Sequence, residues 1–513
     1  MPEQVAMSAL TKALSLAPLS PVDAAASYRT PRPLTMPGVA SGLVAPQLAA
    51  ATPEALGQAL MRAPEVLQRL MNRGPRYTSY PPATAWHEGV GEADLLAALE
   101  RQAANAPLSV YVHLPFCPSH CWFCACNVLI TQRTDLQDSY LDHVEAEWRN
   151  LLPHLPQQRQ VRQIHWGGGS PSQLTAVQMR RLMGFLRDHI DLAPDAELAI
   201  EVDPRITTTE HLTTLRELGF TRLSMGVQDV DPGVQTLINR VQPQALTAQF
   251  MADCRAHGFA SVNVDLIYGL PGQTEETLQR TLEAVQELDP DRLAVYGYAH
   301  VPWLKPQQTR MDASRIPQGE QRFVLFQQML QGLLDAGYDY IGLDHFAKPT
   351  DELALARHSG TLQRNFMGYS TFAGTELVGL GLTAIGLVGD TYVQNARKLK
   401  TYQSQAASSH LPIERGYVRT TDDKLRDAVI QQLLCTGAVD LDATCARYQQ
   451  DAQDYFAHEL LALQPHVADG LVDLQGTRLT LTPLGQILAR PVAMVFDAHL
   501  EQAKAQGARF SAV

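Results

Sequence analysis

From about residue 107 the chain alternates between short runs rich in β-branched and aromatic residues and longer stretches whose apolar positions recur at helical spacing. The runs are SVYVHLP (109–115), QIHWG (163–167), ELAIEV (197–202), RLSMGV (222–227), VNVDLIY (262–268), RLAVYGY (292–298) and YIGLDHF (340–346). Helical patterns over 175–188, 208–218, 243–257, 274–287 and 320–336 separate most of them. Strands that are apolar for most of their length suit a parallel sheet covered by helices. The pattern therefore predicts an α/β fold, a partial (β/α) barrel spanning 107–350.

The flanks read differently. Residues 1–55 are rich in Ala, Pro, Ser and Leu with little charge, and predict a low-complexity, mobile arm. Lys and Arg are too sparse there for a targeting peptide. Residues 54–71 have helical spacing, and GPRYTSYPPA (74–83) is extended and aromatic. After the barrel, 351–419 reads as an extension and connecting segment. From 420 to 513 the pattern predicts a mainly helical C-terminal domain, with helices near 422–434 and 451–463. Within it, two short strands flank Gln475-Gly476, a winged-helix-like hairpin.

Composition adds exclusions. Apolar residues make up 45% of the 513 and charged residues 18%, which is a globular balance. No apolar run reaches the roughly 18 residues of a membrane helix, so no membrane insertion is expected. A net charge of 41 − 53 = −12 and the absence of a dense basic helix argue against nucleic acid as a partner. An anionic substrate would need a local basic pocket. Of seven cysteines, Cys254, Cys435 and Cys445 sit in helical patterns as buried thiols, whereas Cys117, Cys121, Cys124 and Cys126 cluster. That usage fits a reducing, cytoplasmic setting without disulfides.

Cys117, Cys121 and Cys124 form C-x3-C-x2-C directly after the first strand. Three thiolates leave one iron of a [4Fe-4S] cubane open, whereas structural clusters and structural zinc prefer four protein ligands. Cys126 keeps those alternatives open, although one intervening residue is short for a zinc knuckle. His113 and His120 read as orienting or packing residues. An open iron suits the amino and carboxylate groups of S-adenosylmethionine, whose homolysis yields a 5′-deoxyadenosyl radical. The GGGSP run (167–171) follows the second strand and permits close backbone approach to such a ligand. Glu201, Gln228, Asp265 and Ala299 lie in, or just beyond, successive strands, near the C-terminal mouth where barrels place their chemistry. Arg240 carries only a weak signal by itself.

Together, YVHLPFCPSHCWFCACN (111–127), HWGGGSP (165–171), SMGVQD (224–229), VDLIYGLPGQT (264–274), GLDHFA (342–347) and RNFMGYST (364–371) strongly resemble the oxygen-independent coproporphyrinogen III oxidases, of the radical S-adenosylmethionine superfamily. The likeness covers 72–513. Cys126-Asn127 and RNFMGYST favour the oxidases over related haem-trafficking proteins. The resemblance implies oxidative decarboxylation of the ring A and ring B propionates of coproporphyrinogen III to vinyl groups, giving protoporphyrinogen IX. It further implies two S-adenosylmethionine molecules per site. The first would meet Tyr111, Gly168, Glu201 and Ile385, with Tyr111 counted beside the cysteines as catalytic. The second would meet Phe123, Gly169, Ser170, Gln228, Arg240, Asp265 and Ala299, with neither Arg240 nor Asp265 touching the cluster. Ser170 stands where the family usually has Thr. Residues 56–106 would cover the substrate cleft, with Arg76–Pro82 matching the family's cover. A low-potential electron donor such as a flavodoxin system and a monomeric state complete the expectation. The competing readings are a haem-trafficking protein and a metal-stapled regulator using the winged module.

Overall fold

The computed structural model describes residues 51–70, 74–505 and 507. Most of the expected arm, 1–50, lies outside the described residues, and Pro53–Glu54–Ala55 belong to a helix. Two helices open the described chain, α1 (Pro53–Arg62) and α2 (Pro64–Leu70). The single helical stretch expected over 54–71 is thus divided. Pro64 has no N–H to continue the first helix and pushes Ala63 out of the helical region, to φ −134° and ψ 49°.

Six strands form the parallel centre of a twelve-stranded sheet: β1 (Leu108–Leu114), β2 (Gln160–Gly168), β3 (Asp191–Val202), β4 (Arg222–Gln228), β5 (Ser261–Tyr268) and β6 (Arg292–Gly297). The run expected as a seventh strand is instead two, β7 (Asp339–Gly342) and β8 (His345–Ala347), antiparallel to each other. Gly342 at φ 137° and Leu343 at φ 48° turn the chain back there, so β8 pairs antiparallel with β6. The connecting segment also builds sheet. β9 (Glu376–Leu380) runs parallel to β1 on its other side, and β10 (Ile385–Val388), β11 (Thr391–Asn395) and β12 (Ile413–Val418) follow antiparallel. The order is β12-β11-β10-β9-β1-β2-β3-β4-β5-β6-β8-β7, a sheet whose ends do not pair and hence an open barrel.

Alternation along the central strands separates two environments. Val110, Val112, Ile164, Trp166, Ile200, Met225, Val262, Val264 and Leu293 are fully buried or nearly so, in the core beneath the covering helices. The alternate positions carry polar groups that bond to one another across neighbouring strands. Ser109 Oγ donates to Gln163 Oε1 (3.2 Å), Gln163 Nε2 to Glu197 Oε1 (2.8 Å), and Arg222 Nε lies 2.5 Å from Glu197. This row lines the lower end of the barrel with polar groups bonded to one another, Arg222 Nη1 alone of its guanidinium lacking a hydrogen bond.

The C-terminal region is mainly helical, and its hairpin forms as expected, Val472–Gln475 against Arg478–Leu481, with a third strand at Ala438–Asp440. The helix expected over 451–463 is broken at Phe456, which leaves helical geometry (φ −104°, ψ 22°) while its ring packs against Phe496 in the core. Among the described residues no helix is long and apolar enough to cross a membrane.

One buried carboxylate fastens β9 and its turn to the barrel. Glu147, on a helix at Thr134–Leu151, accepts from Gly381 N (2.8 Å), Asn395 Nδ2 (2.6 Å) and Tyr402 Oη (2.7 Å). Tyr140, on the same helix, donates to His113 O (2.7 Å) and accepts from Leu382 N (2.8 Å). Burial pushes the Glu147 carboxyl from 4.5 up to about 7, and the three donors offset this only in part. A carboxyl raised on folding favours the fold fully below its unfolded value and loses that contribution as pH rises through the folded value. Glu147→Gln is therefore expected to flatten the dependence of stability on pH between about 4.5 and 7, by up to ~3 kcal/mol, as read from urea unfolding. Glu147→Ala, which strands three donors, is expected to cost ~2–4 kcal/mol near pH 5 and less as pH rises through about 7, where the parent itself loses the contribution of the protonated carboxyl. Equal pH slopes for parent and Gln variant would show that Glu147 does not titrate there.

Candidate active site

The C-terminal ends of the parallel strands carry the residues singled out in the sequence. After β1 the chain continues through Pro115 into a loop held between two neighbours. On one side Phe116–Cys117 pairs with Leu129–Ile130. On the other runs the glycine segment, with Gly169 N donating to Leu114 O (2.9 Å) and Ser170 N to Phe116 O (2.8 Å). Gly168 has φ 116°, and a Cβ there would lie within 2.7 Å of the His113 ring. A Cβ on Gly169 would lie 2.7 Å from Phe116 O and from the Pro115 carbonyl carbon. Only glycine allows this approach.

Four further contacts pin the cysteine loop. Trp122 N donates to Ile238 O (2.9 Å), Asn239 Nδ2 to His120 O (2.8 Å), Gln307 Nε2 to Cys124 O (2.6 Å) and Lys305 Nζ to Cys126 O (3.1 Å). Buried Gln308 donates through Nε2 to both Phe123 O (3.0 Å) and Ala299 O (3.1 Å). Phe123 and Ala299 are thereby brought together.

All seven cysteines are free. Cys121 is buried, Cys117 and Cys124 are half-buried and Cys126 is exposed. Arg205 Nη2 and Arg240 Nη1 lie 3.7 Å and 3.6 Å from Cys121 Sγ. Both guanidinium groups also meet Asp203, at 2.6 Å and 3.5 Å. Arg240 Nη2 donates to Gly226 O (2.6 Å), and a Cβ on Gly226 would strike Gln228 and crowd Arg240. The expectation that Arg240 stays away from the cysteines is thus corrected: the chain after Pro232–Leu237 turns inward at Asn239 (φ 55°), placing Arg240 beside Cys121. Asp203 and Arg205 escaped the reading of the sequence, although EVDPR places them two and four residues beyond Glu201.

The thiols differ in character. Burial pushes Cys117 up to about 12, while Ser170 Oγ, 3.7 Å away, works against that rise. A hydrogen bond from the Cys126 thiol brings Cys124 down to about 7, and Cys126 N also points at Cys124 Sγ (3.4 Å). Among the described residues no three His, Cys, Asp or Glu side chains surround a point as ligands of a single ion would. Three separated thiols on one loop, backed by two guanidinium groups, fit a cluster in which each thiolate takes its own iron.

Beside the loop, Tyr111 stacks on His165 (centroids 5.8 Å apart, 16° between planes) and meets His113 Nδ1 through its hydroxyl (3.1 Å). His113 is fixed by its other ring nitrogen on Asn127 O (3.1 Å), the orienting role expected of it. Glu201 accepts from Gly168 N (3.0 Å) and lies 3.5 Å from His165. Burial opposes its charge, but His165 and the Gly168 N–H outweigh burial and hold the carboxyl below its usual range. Asp265 accepts from Asn263 Nδ2 (2.8 Å) and Ser224 Oγ (3.4 Å); burial, then the charge of Glu201, push it up to about 7. Gln228, at φ 70°, ends β4. Ile385 begins β10, its backbone against Gly379, the strand partner of Tyr111, while its side chain packs with Trp86 and Tyr392.

The chain is similar to known proteins along most of its length. The Radical SAM superfamily model matches residues 111–285, and the HemN C-terminal domain model matches 420–488. The oxygen-independent coproporphyrinogen III oxidase of Salmonella typhimurium is 43% identical over 448 residues, covering 87% of this chain and 97% of the relative. That of Pseudomonas aeruginosa is 42% identical over 452 residues, covering 88% and 98%. The solved structure of the Escherichia coli coproporphyrinogen III oxidase, described as a radical SAM enzyme, superposes with a TM-score of 0.81 at 42% identity, covering 83% of this chain and 98% of that one.

The contact between cysteine loop and glycine segment generates its own test. Gly169→Ala is expected to force the two apart, costing ~1–3 kcal/mol in unfolding experiments and lowering the iron retained after anaerobic reconstitution. Gly184, in the helix Ala176–Arg187, has nothing within 4 Å of a built Cβ, so Gly184→Ala serves as a control and is expected to be neutral or stabilising by ~0.5–1 kcal/mol. Parent-like stability and iron content in Gly169→Ala would remove close backbone packing as the constraint.

Proposed function

Since this chain belongs to the oxygen-independent coproporphyrinogen III oxidases, and so to the radical S-adenosylmethionine enzymes that use a [4Fe-4S] cluster, we propose that Cys117, Cys121 and Cys124 hold that cluster at the barrel mouth and that the neighbouring strand ends hold two S-adenosylmethionine molecules. The reaction is the anaerobic conversion of coproporphyrinogen III to protoporphyrinogen IX. The observation that carries the site assignment is the placement of Arg205 and Arg240 against Cys121, both backed by Asp203. When bound, the cluster and S-adenosylmethionine would supply a one-electron route to a 5′-deoxyadenosyl radical, whose hydrogen abstraction would start the oxidative loss of two propionate carboxyl groups as carbon dioxide, leaving vinyl groups and passing one electron per propionate to an acceptor.

In this reading the chain's own residues bind, orient and exclude water. The two guanidinium groups offset thiolate charge in a dry setting. Gly168, Gly169 and Ser170 offer backbone and hydroxyl groups beside the thiolates. Glu201, held ionised, suits the cationic amine of the first cofactor, with Tyr111 and the backbone of Ile385 beside it. Phe123, Gln228, Asp265 and Ala299 line the second pocket. Arg240 stands between that pocket and Cys121, with only Nε lacking a partner. The same reading divides the chain into an arm (1–55), a cleft cover (56–106), a barrel (107–350), an extension (351–419) and a C-terminal domain (420–513). It takes the protein to be a cytoplasmic monomer served by a low-potential donor such as a flavodoxin system. Anaerobic reconstitution followed by product analysis tests the activity: protoporphyrinogen IX should form only with S-adenosylmethionine and a low-potential reductant.

Replacing Cys117, Cys121 or Cys124 with Ser is expected to remove most of the cluster iron and all turnover, whereas Cys126→Ser keeps the iron and alters only the thiol that donates to Cys124. Iron assays and anaerobic absorption spectra of the four variants decide this, and loss of the cluster in Cys126→Ser alone would reverse the ligand assignment.

Asp265→Asn is expected to keep the parent's iron while bound S-adenosylmethionine falls from two per cluster toward one, since losing a charge partner costs ~2–5 kcal/mol. Arg240→Ala should also lose iron, because it removes a donor to Cys121. Parent protein that binds only one molecule per cluster would sink the second pocket.

A further inference from the structure

The opposite rim of the same mouth carries a concentration of positive charge that the chemistry above does not use. Arg76, Arg364 and Arg490 come from the segment before the barrel, from the ladder Gln363–Asn365 after it, and from the helix Ala489–Met494 near the C-terminus. One carboxylate faces them, Asp344 in the turn between β7 and β8, which is 4% exposed and lies 2.5 Å from Arg76 Nη1. Arg364 donates through Nη2 to Arg76 O (3.2 Å) and lies over the Tyr369 ring (4.7 Å), while its Nε and Nη1 are buried without a hydrogen-bond partner. Nε and Nη1 of Arg490 are likewise buried and unpartnered. The two residues are only 7% and 3% exposed.

Three guanidinium groups against one carboxylate leave about two buried positive charges uncompensated, which a fold tolerates poorly without an anionic ligand. The field is felt nearby: burial and then the charge of Arg364 push His345 down to about 3. The cluster also borders the proposed reaction site. Arg76 lies over the Tyr296 ring (5.3 Å), and the acidity of Tyr296 is reduced by burial and then by the charge of Asp265.

We infer that Arg364 and Arg490, with Arg76, form a carboxylate-binding subsite for propionate side chains of the tetrapyrrole, holding the macrocycle by acid groups while others face the radical chemistry. This deepens the proposed function and rests on it. Guanidinium forks suit carboxylates, and the half-buried Tyr296 ring offers the macrocycle an apolar contact beside them. Asp344 keeps Arg76 in place and limits the mutual repulsion of the arginines while the subsite waits for its ligand.

The test uses the full chain and two fluorescent probes, coproporphyrin III and its uncharged tetramethyl ester, titrated without reductant. Arg364→Gln and Arg490→Gln are each expected to weaken coproporphyrin III binding by about tenfold or more, to leave ester binding within about twofold, and to keep or raise the melting temperature, since each removes an uncompensated buried charge. Arg364→Lys, which keeps charge but loses the fork, should fall between parent and Gln variant. Unchanged selectivity for acid over ester in both Gln variants would overturn the subsite, as would parallel losses for acid and ester, which would mark a structural role. Anaerobic turnover by the parent chain tests the underlying activity separately. A parent that turns over while its variants keep full acid selectivity would discard the arginines alone.

Discussion

Thiolate sulfur in a water-poor pocket demands positive charge close by, and positive charge buried there demands a carboxylate in turn. Asp203 meets the second demand and Arg205 with Arg240 meet the first, both reaching Cys121. The chain elements this links are far apart in sequence: the cysteine loop after β1, the end of β3 and the turn before the helix Gln244–Ala256. Burial works against the charge of Asp203, and Arg240 first and then Arg205 outweigh it, keeping the carboxyl below its ordinary range. Removing one member would leave the others as uncompensated charges, so the arrangement specifies geometry as much as it stabilises.

The strands supply the positions from which such a network can be built. Their outer faces are apolar and nearly fully buried, which fixes register, because a slip of one residue would exchange the two faces. Their inner faces can then carry polar groups at successive heights. Ser109, Gln163, Glu197 and Arg222 line the lower end, and Tyr111, His113, Glu201 and Asp265 stand nearer the mouth. Glycine takes its place in this pattern for a steric reason. At Gly168, Gly169 and Gly226 a side chain would occupy the space of the His113 ring, the Pro115–Phe116 backbone, and the Gln228 and Arg240 side chains.

The parallel strands and the cysteine loop were legible because each is a local pattern: apolar runs of strand length, and thiols four and three residues apart. What was not legible depended on contacts distant in sequence. Arg240 carried little signal because only the folded turn at Asn239 brings it to Cys121. The run at 340–346 read as one strand because the reversal rests on backbone angles at Gly342 and Leu343, and a leucine at φ 48° has no compositional signature. The strands between 376 and 418 are short and interrupted by turns, and their pairing is settled by Glu147, more than 200 residues away from its acceptor groups' partners Gly381 and Asn395. Which arginines could meet an acidic substrate was equally hidden, since three segments must dock before they share a space.

That docking bears on what the C-terminal region is for. Its hairpin and flanking helices resemble a winged module, yet Arg490 from this region enters the same charged cluster as Arg76 from the first segment and Arg364 from beyond the barrel. Arg357 makes a further tie, donating to Gln486 Oε1 (2.7 Å) and, through its other nitrogen, to Ile341 O on β7. Tyr77 and Tyr80 of the first segment bond to Asp497 Oδ2 (3.0 Å) and Ala498 N (3.0 Å), so the segment before the barrel is tied directly to the C-terminal region. A region held by this many buried polar contacts is placed by them to within hydrogen-bond tolerance. The mouth therefore has two differently charged sides with different origins: the barrel supplies thiols, Glu201 and Asp265, and the segments before and after it supply the arginines. A barrel without its flanking segments would retain the first side and lose the second.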